Sequence, residues 1–368
     1  MLVFLGAGAS KSFGIPTLQE MTDEVKQIPS ISKYDIESIQ KKIGEFGFTP
    51  DLESVLTVLT SYIGPREAVR DSGPFPWYLS QYSRIDDLPK RPDLENAIQA
   101  IKNYIYETCR VKEEQIDKII RTYDLLFDTL KIDRVKTSSS PERTINIKRA
   151  QLSGAGTSYL PVDIITTNYD LCVEQYCNRR KIPMTNGFDA DPTKTKMIFN
   201  INNLSYREYP TDDRIRLHKL HGSIDQWITD KGDIILLQAK QDTTLYGDRI
   251  RAELLIYPIQ TKYIYQDPFF ELFHLFQEKL KRTPVCIVIG YSFRDEAVNN
   301  VFHNAVKKNP ELKIFLIDPV ATAIKTKLGG DLQRNIYQID RCFDDPQLPT
   351  ILKQPLENWI QGDPTDYH

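Results

Sequence analysis

With 368 residues, 40% of them hydrophobic and 26% charged, the chain is long enough to bury a full core and has the make-up of an ordinary globular protein. A formal net charge of -3 supplies no global positive field for a phosphate backbone, which disfavours direct nucleic-acid binding. No uninterrupted apolar run is long enough to cross a bilayer and nothing resembles a lipid anchor, so the expected compartment is the cytoplasm.

The opening apolar run is interrupted at once by Gly6 and carries no basic leader, so Leu2 to Leu5 read as a buried strand and not as a signal peptide. Gly6-Ala7-Gly8-Ala9-Ser10 follows directly, and then Gly14-Ile15-Pro16. Glycines after a strand let the backbone approach a pyrophosphate, whose charge is stabilised by amides at the start of the next helix. The dinucleotide fingerprint would want a third glycine where Lys11 stands, and a tight strand-to-helix turn explains the same residues equally well.

From about residue 35 to 158 the pattern becomes helical and then polar. Leu52, Val55, Leu56, Leu59, Tyr62 and Ile63 form one stripe, with Thr49 as the expected N-cap and Pro50 at the first helical position. Leu94, Ala97, Ile98, Ile101 and Ile105 form a second stripe, and Ile116, Ile119, Ile120, Tyr123, Phe127 and Leu130 a third. The expectation is a helical insertion within a single catalytic domain spanning 1–368. Its plain role would be to cap the sheet and shape a pocket. Lys136 to Ser158, with Ser138-Ser139-Ser140-Pro141 and Gly154-Ala155-Gly156, reads as a mobile loop that is a lid or a linker.

Val162-Asp163-Ile164-Ile165 is the next strand, and Thr166-Thr167-Asn168-Tyr169-Asp170 lies at its carboxyl end, where open α/β sheets collect their ligands. Asn168 suits a ribose hydroxyl or a water; Asp170 suits direct contact or the capping and bracing of the following helix. Arg216 to Leu220 is a more mixed run that delivers Leu220-His221-Gly222-Ser223. An imidazole there can take a proton from a ribose hydroxyl or a water, whereas His218, His274, His303 and His368 read as structural. Cys286-Ile287-Val288-Ile289 precedes Gly290-Tyr291-Ser292-Phe293-Arg294-Asp295, in which Gly290 and Ser292 suit ribose or phosphate contact. Lys313 to Ile317 ends at Asp318, a potential acceptor for ribose hydroxyls. Near-continuous apolar runs separated by helical patterns predict a Rossmann-like α/β fold with a parallel sheet. The cysteines (Cys109, Cys172, Cys177, Cys286, Cys342) contain no C-x-x-C pair, and Cys172 and Cys177 read as core residues rather than zinc ligands.

Taken in order, GAGAS with GIP, TTNYD, LHKLHGS and GYSFRD resemble the sirtuin superfamily. They are most similar to the sirtuin-like domains of bacterial antiphage-defence proteins such as Thoeris effectors and the partners of HerA-type ATPases. That resemblance implies a sirtuin-like fold in which Gly6, Ala7, Gly8 and Ser10 line the phosphates of NAD and Asn168 contacts the nicotinamide ribose or a water. It further implies that His221 is the catalytic base, that Asp170, Gly290 and Ser292 contribute to NAD binding, and that Asp318 lies near the adenosine ribose. Deacylating sirtuins place Asp-Phe-Arg where this chain has Thr17, Leu18 and Gln19, and carry a four-cysteine zinc module after HGS that is missing here. The expectation is therefore an NAD+ glycohydrolase with NAD+ as substrate and without zinc, acting as an NAD-depleting effector of antiphage defence. It would assemble as a homo-oligomer or with a HerA-type ATPase or other defence partner. The alternatives are an NAD-dependent protein deacylase and a non-catalytic subunit that binds NAD or ADP-ribose.

Overall fold

The computed structural model describes residues 2–32, 36–45, 47, 49–63, 91–132, 162–192, 196–205, 215–237, 244–245, 248–255 and 267–361. They fall into two compact units. The larger contains Met1–Ile15, Val111–Leu255 and Ile264–His368, and the smaller contains Pro16–Arg110.

In chain order the strands are β1 (Leu2–Leu5), β2 (Asp163–Thr166), β3 (Met184–Thr185), β4 (Phe188–Ala190), β5 (Met197–Phe199), β6 (Ile215–Lys219) and β7 (Gly222–Thr229). They continue as β8 (Ile234–Leu236), β9 (Thr244–Leu245), β10 (Asp248–Leu255), β11 (Val285–Ile289), β12 (Lys313–Ile317) and β13 (Ile336–Ile339). Seven of them form one sheet in the order β13-β12-β11-β1-β2-β6-β3, with every neighbouring pair parallel. This is the Rossmann-like sheet expected of the apolar runs. Each of the four runs read from the sequence is a strand of it, as is the mixed run that ends before His221. Every residue of β1, β2, β6 and β11 is buried, because helices cover both faces of a parallel sheet. On one face Phe4 packs against Phe276, Tyr291 and Phe302, with ring centroids 4.8 to 5.4 Å away.

The strand order fixes where a ligand can enter. After β1 the chain builds outward to β2, β3 and β6 on one side, then returns to place β11, β12 and β13 on the other. The direction of winding reverses between β1 and β11, and the crevice of an open α/β sheet opens at the carboxyl ends of such a pair. Gly6 follows β1 and Gly290 follows β11, so both glycine turns meet at this point.

A second sheet, in the order β4-β5-β8-β7-β10-β9, is antiparallel throughout and has no counterpart in the sequence reading. Trp227, Ile235 and Leu237 form its small buried cluster, with Ile198 packed against them. The chain passes from the parallel sheet to this one within Leu220, His221 and Gly222.

The smaller unit contains the helices Leu18–Val25, Pro29–Ser32, Ile36–Glu45, Leu52–Ile63 and Arg91–Cys109. Thr17 caps the first through a reciprocal capping box: its Oγ1 accepts from the Glu20 amide while Glu20 Oε2 accepts from the Thr17 amide, 2.9 Å away. The expected cap of Leu52–Ile63 needs correction. Asp51, not Thr49, precedes the first helical residue, and its Oδ1 accepts from the Ser54 amide at 2.9 Å, while Thr49 contributes only its carbonyl to the Ser54 hydroxyl. The third helical stripe forms Ile116–Ile132 in the larger unit, where Tyr123 and Phe127 stack on Tyr176. The polar stretch from Lys136 to Ser158 lies outside the described residues. Among those described, no helix is long and apolar enough to cross a membrane.

Candidate active site at the carboxyl edge of the sheet

Gly6 and Gly290 are required first by each other. The Gly6 amide donates to the Ile289 carbonyl and the Gly8 amide to the Gly290 carbonyl, both at 2.9 Å, while the Ala9 amide donates to the Gly6 carbonyl at 3.0 Å. A Cβ on Gly6 would lie 2.5 Å from the Gly290 carbonyl oxygen, and one on Gly8 would lie 2.8 Å from the Gly290 Cα. Gly290 has φ +63, and a Cβ there would stand 2.1 Å from the Ala9 nitrogen. Two backbones therefore touch where side chains would have been. The glycines read from sequence as a phosphate approach serve, in the first instance, this crossing of two turns.

Asn168 leaves β2 beside that crossing. Its side-chain nitrogen lies 2.9 Å from the Gly6 carbonyl and 3.0 Å from the Ser10 hydroxyl. A carbonyl only accepts, so the amide nitrogen must be the atom that faces Gly6. That orientation leaves Asn168 Oδ1 with no partner among the described residues, on a half-buried side chain. The Asn168 amide N–H is held by Thr166 Oγ1 at 3.0 Å, which itself donates to the Leu5 carbonyl. Asn168 is thus an oriented acceptor fixed to the glycine turn.

Ser10 is the hub between the first two motifs. It accepts from Asn168 and donates to Asp170 Oδ2 at 2.6 Å, and the other Asp170 oxygen accepts from the Cys172 amide at 2.9 Å. Both oxygens of the buried Asp170 carboxylate are therefore engaged by the protein, and the bracing and capping role is the one its contacts carry. Behind it, Lys219 donates to the Asp170 carbonyl and lies 3.2 Å from Glu174 Oε1.

Burial pushes the Glu174 carboxyl up to about 7 against the pull of Lys219, and the charges of Asp225 and Asp170 add to the rise. A carboxyl raised above its unfolded value of about 4.3 binds more protons in the folded state. Its contribution to stability is present below that unfolded value and is lost as the pH climbs through about 7. Thermal unfolding of the wild type is expected to show a lower midpoint at pH 8 than at pH 6, and Glu174→Gln to flatten that fall. An equal fall in both proteins would assign the pH dependence to another group.

His221 sits where β6 ends and β7 begins. Gly222 beside it has φ +82, the left-handed conformation that turns the chain out of one sheet into the next. The Leu220 amide donates to the Thr166 carbonyl at 2.9 Å, and the Ile224 amide and Ser223 hydroxyl reach the Tyr169 carbonyl at 3.1 and 3.2 Å. These bonds tie the His221 segment to the Asn168 segment along its length. The imidazole is 4% exposed, stacks loosely on Phe273 and places Nε2 3.0 Å from Asp295 Oδ2. Burial raises the Asp295 carboxyl, but the adjacent His221 imidazole and the Val298 and Ala297 amides outweigh it and hold the group below its ordinary value.

The other expected site residues lie along the same edge. Ser292 is exposed in the turn after β11, and Ala7 and Gly8 are half-buried. Asp318 directly follows β12 and is half-buried, with Oδ1 accepting from the Val320 amide at 2.9 Å; burial raises its carboxyl, with the charge of Asp340 adding to the rise. His218 is structural, as read: it is fully buried with Nε2 3.0 Å from Asp163 Oδ1, which Lys279 also approaches at 2.8 Å. His274 is exposed and His303 half-buried, while His368 lies outside the described residues. Sequence reasoning gave no role to Asp295, Lys219 or Glu174. Asp295 carried a signal, since it closes a quoted motif and stands one residue before a helix. Among the described residues, no group of three or more His, Cys, Asp or Glu is placed to hold a metal ion, and Cys172 and Cys177 are buried free thiols.

Among known families, the model of the SIR2-like domain matches residues 162–337. No curated protein matches the chain by sequence. Among solved structures, a mutant Sir2 homologue in complex with ADP-ribose aligns at 11% identity over 98% of this chain and 93% of its own, with a TM-score of 0.42. A Sir2 homologue in complex with NAD aligns at 11% identity over 98% and 90%, also with a TM-score of 0.42. A third, from work on the mechanism and regulation of Sir2 enzymes, aligns at 13% identity over 97% and 92%, with a TM-score of 0.39.

Proposed function

We propose that this chain, whose residues 162–337 match the SIR2-like domain, binds NAD at the β1/β11 crossing and hydrolyses the bond between nicotinamide and ribose. The observation that supports this most is Asn168: its amide nitrogen is committed to Gly6 and Ser10, so its oxygen is held ready to accept from a water or a ribose hydroxyl at the switch point of the sheet. In this reading the half-buried Ala7 and Gly8 and the exposed Ser292 lie along the phosphates and ribose, and Asp318 near the adenosine end. Asp170 and Ser10 act by holding the Asn168 loop to the glycine turn.

In NAD the nicotinamide is already cationic and departs as a neutral molecule, so cleavage needs no acid on the leaving group, in contrast to an ordinary glycoside. Positive charge builds on the ribose as the bond to nitrogen breaks. Asn168 orients a water toward that carbon, and His221 takes the proton the water loses as its oxygen bonds to the ribose. The products are nicotinamide and ADP-ribose. Thr17, which stands where the deacylating sirtuins have aspartate, is used in the capping box of Leu18–Val25. We read the site as zinc-independent and the protein as a cytoplasmic, NAD-depleting effector of antiphage defence. Assembly with itself or with a partner such as a HerA-type ATPase would gate its activity.

The test is chromatographic separation of products after incubating the full-length protein with NAD, alone and with candidate partners. Nicotinamide and ADP-ribose in equal amounts, without acylated peptide, are expected. Release only with an acyl-lysine peptide would assign a deacylase, and tight binding without turnover in every assembly would assign a non-catalytic NAD sensor.

A further inference from the structure

We propose that Asp295 is the positioning residue of this site: its carboxylate holds the His221 proton on Nε2, so that Nδ1 is the ring's proton acceptor. Asp295 closes the turn after β11 and caps the helix Glu296–Lys308, and its two oxygens have separate tasks. Oδ1 accepts from the Val298 amide at 3.1 Å and fixes the side chain to the helix start. Oδ2 is buried without an in-line hydrogen bond, and the group that faces it is His221 Nε2 at 3.0 Å. At that distance an unprotonated nitrogen would set its lone pair against the carboxylate, so the contact favours the proton on Nε2, and in a neutral imidazole the other nitrogen is then the acceptor. Phe273 lies against the ring, with centroids 6.5 Å apart and planes 26° apart, and restrains its tilt. Asp295 and Phe273 reach His221 from different elements, the first from the turn after β11 and the second from the helix Phe269–Arg282.

The catalytic consequence rests on the hydrolase reading above. Nδ1 accepts a proton from the attacking water as the water oxygen bonds to the ribose carbon. The bond from that carbon to the nicotinamide nitrogen breaks, and its electron pair leaves with nicotinamide. A carboxylate behind the ring also stabilises the imidazolium formed in this step.

The capping bond makes Asp295→Asn an informative substitution. With Oδ1 kept on the Val298 amide, the new NH2 group faces Nε2, and a donor there forces the ring proton to Nδ1. The fold keeps its cap while the acceptor on His221 is lost. The experiment is nitrogen-15 NMR of full-length protein labelled at histidine, with the His221 signals assigned from a His221→Gln sample, alongside nicotinamide-release kinetics and thermal unfolding.

The expected result is an Nε2–H tautomer in the wild type and an Nδ1–H tautomer in Asp295→Asn. With it, kcat should fall about a hundred- to ten-thousand-fold while KM for NAD changes less than about threefold. Asp295→Ser, which can cap but is too short to set its hydroxyl against the ring nitrogen, should lose less activity than the asparagine variant. An Nδ1–H tautomer in the wild type, a tautomer unchanged by Asp295→Asn, or a loss confined to KM would overturn the proposal. A wild type with the Nε2–H tautomer that releases no nicotinamide in any assembly would remove the hydrolase reading and leave the assignment of Asp295 supported.

Discussion

His221→Ala is expected to lower nicotinamide release by about two to four orders of magnitude, the usual contribution of a general base. Loss should appear in kcat, because the imidazole is 4% exposed and its polar contact is with Asp295, which makes it a poor candidate for a binding surface. The folded state should survive, since the neighbouring amides of Leu220 and Ile224 bond through the backbone. Asn168→Ala should lose turnover to a similar extent, but it also removes two hydrogen bonds to the glycine turn and exposes a structural component. Asn168→Asp separates the two, because it preserves an oxygen for the water and loses the donors to Gly6 and Ser10. Product chromatography on all three variants, with unfolding curves beside it, makes the comparison. Near-normal release from a folded His221→Ala protein would eliminate the mechanism.

Gly290→Ala is expected to be the most destabilising small substitution in the parallel sheet. The added methyl would meet the Ala9 nitrogen at 2.1 Å and the Gly8 carbonyl carbon at 2.3 Å, and both are backbone atoms that cannot rotate away. The residue would also have to hold a φ of +63. Overpacking costs roughly 1–3 kcal/mol and a strained backbone conformation roughly 1–3 more, so a loss of about 2–6 kcal/mol is expected. At about 2–4 °C per kcal/mol for a unit of this size, the melting temperature should fall by at least about 4 °C. Gly232→Ala is the control: it has φ +87 with nothing within 4 Å of the added carbon, so it carries only the conformational part. Equal melting temperatures for the two variants would mean that the turns relax apart and that their close approach is not what requires glycine.

The sequence by itself determined the elements whose signal is local. Leu2–Leu5 and Val285–Ile289 are apolar along their length, and Lys313–Ile317 after its first residue, because a central parallel strand is covered on both faces, and such runs can be read without a structure. The second and third helical stripes were legible for the same reason, since their period follows from burial of one face, whereas the first lies on a helix buried at every position from Leu52 to Leu59. The positions of Asn168, His221 and Gly290 at strand ends came with the strands.

Tertiary structure decided what depends on partners distant in the chain. β3 has two residues and β13 buries only its first and last, and neither forms an apolar run. The antiparallel sheet is built from strands of mixed polarity, so it has the same faint signal. Asp51 displaced Thr49 as a helix cap because both residue types suit that place and only the backbone path chooses between them. At the site, the glycines are needed because β1 and β11 are neighbours, and Asp170 is a brace because Ser10 lies across from it. Asp295 meets His221 because the winding reversal brings the turn after β11 to the place where the chain leaves β6. Residue type limited what each of these side chains could do, and strand order selected which of those roles it has.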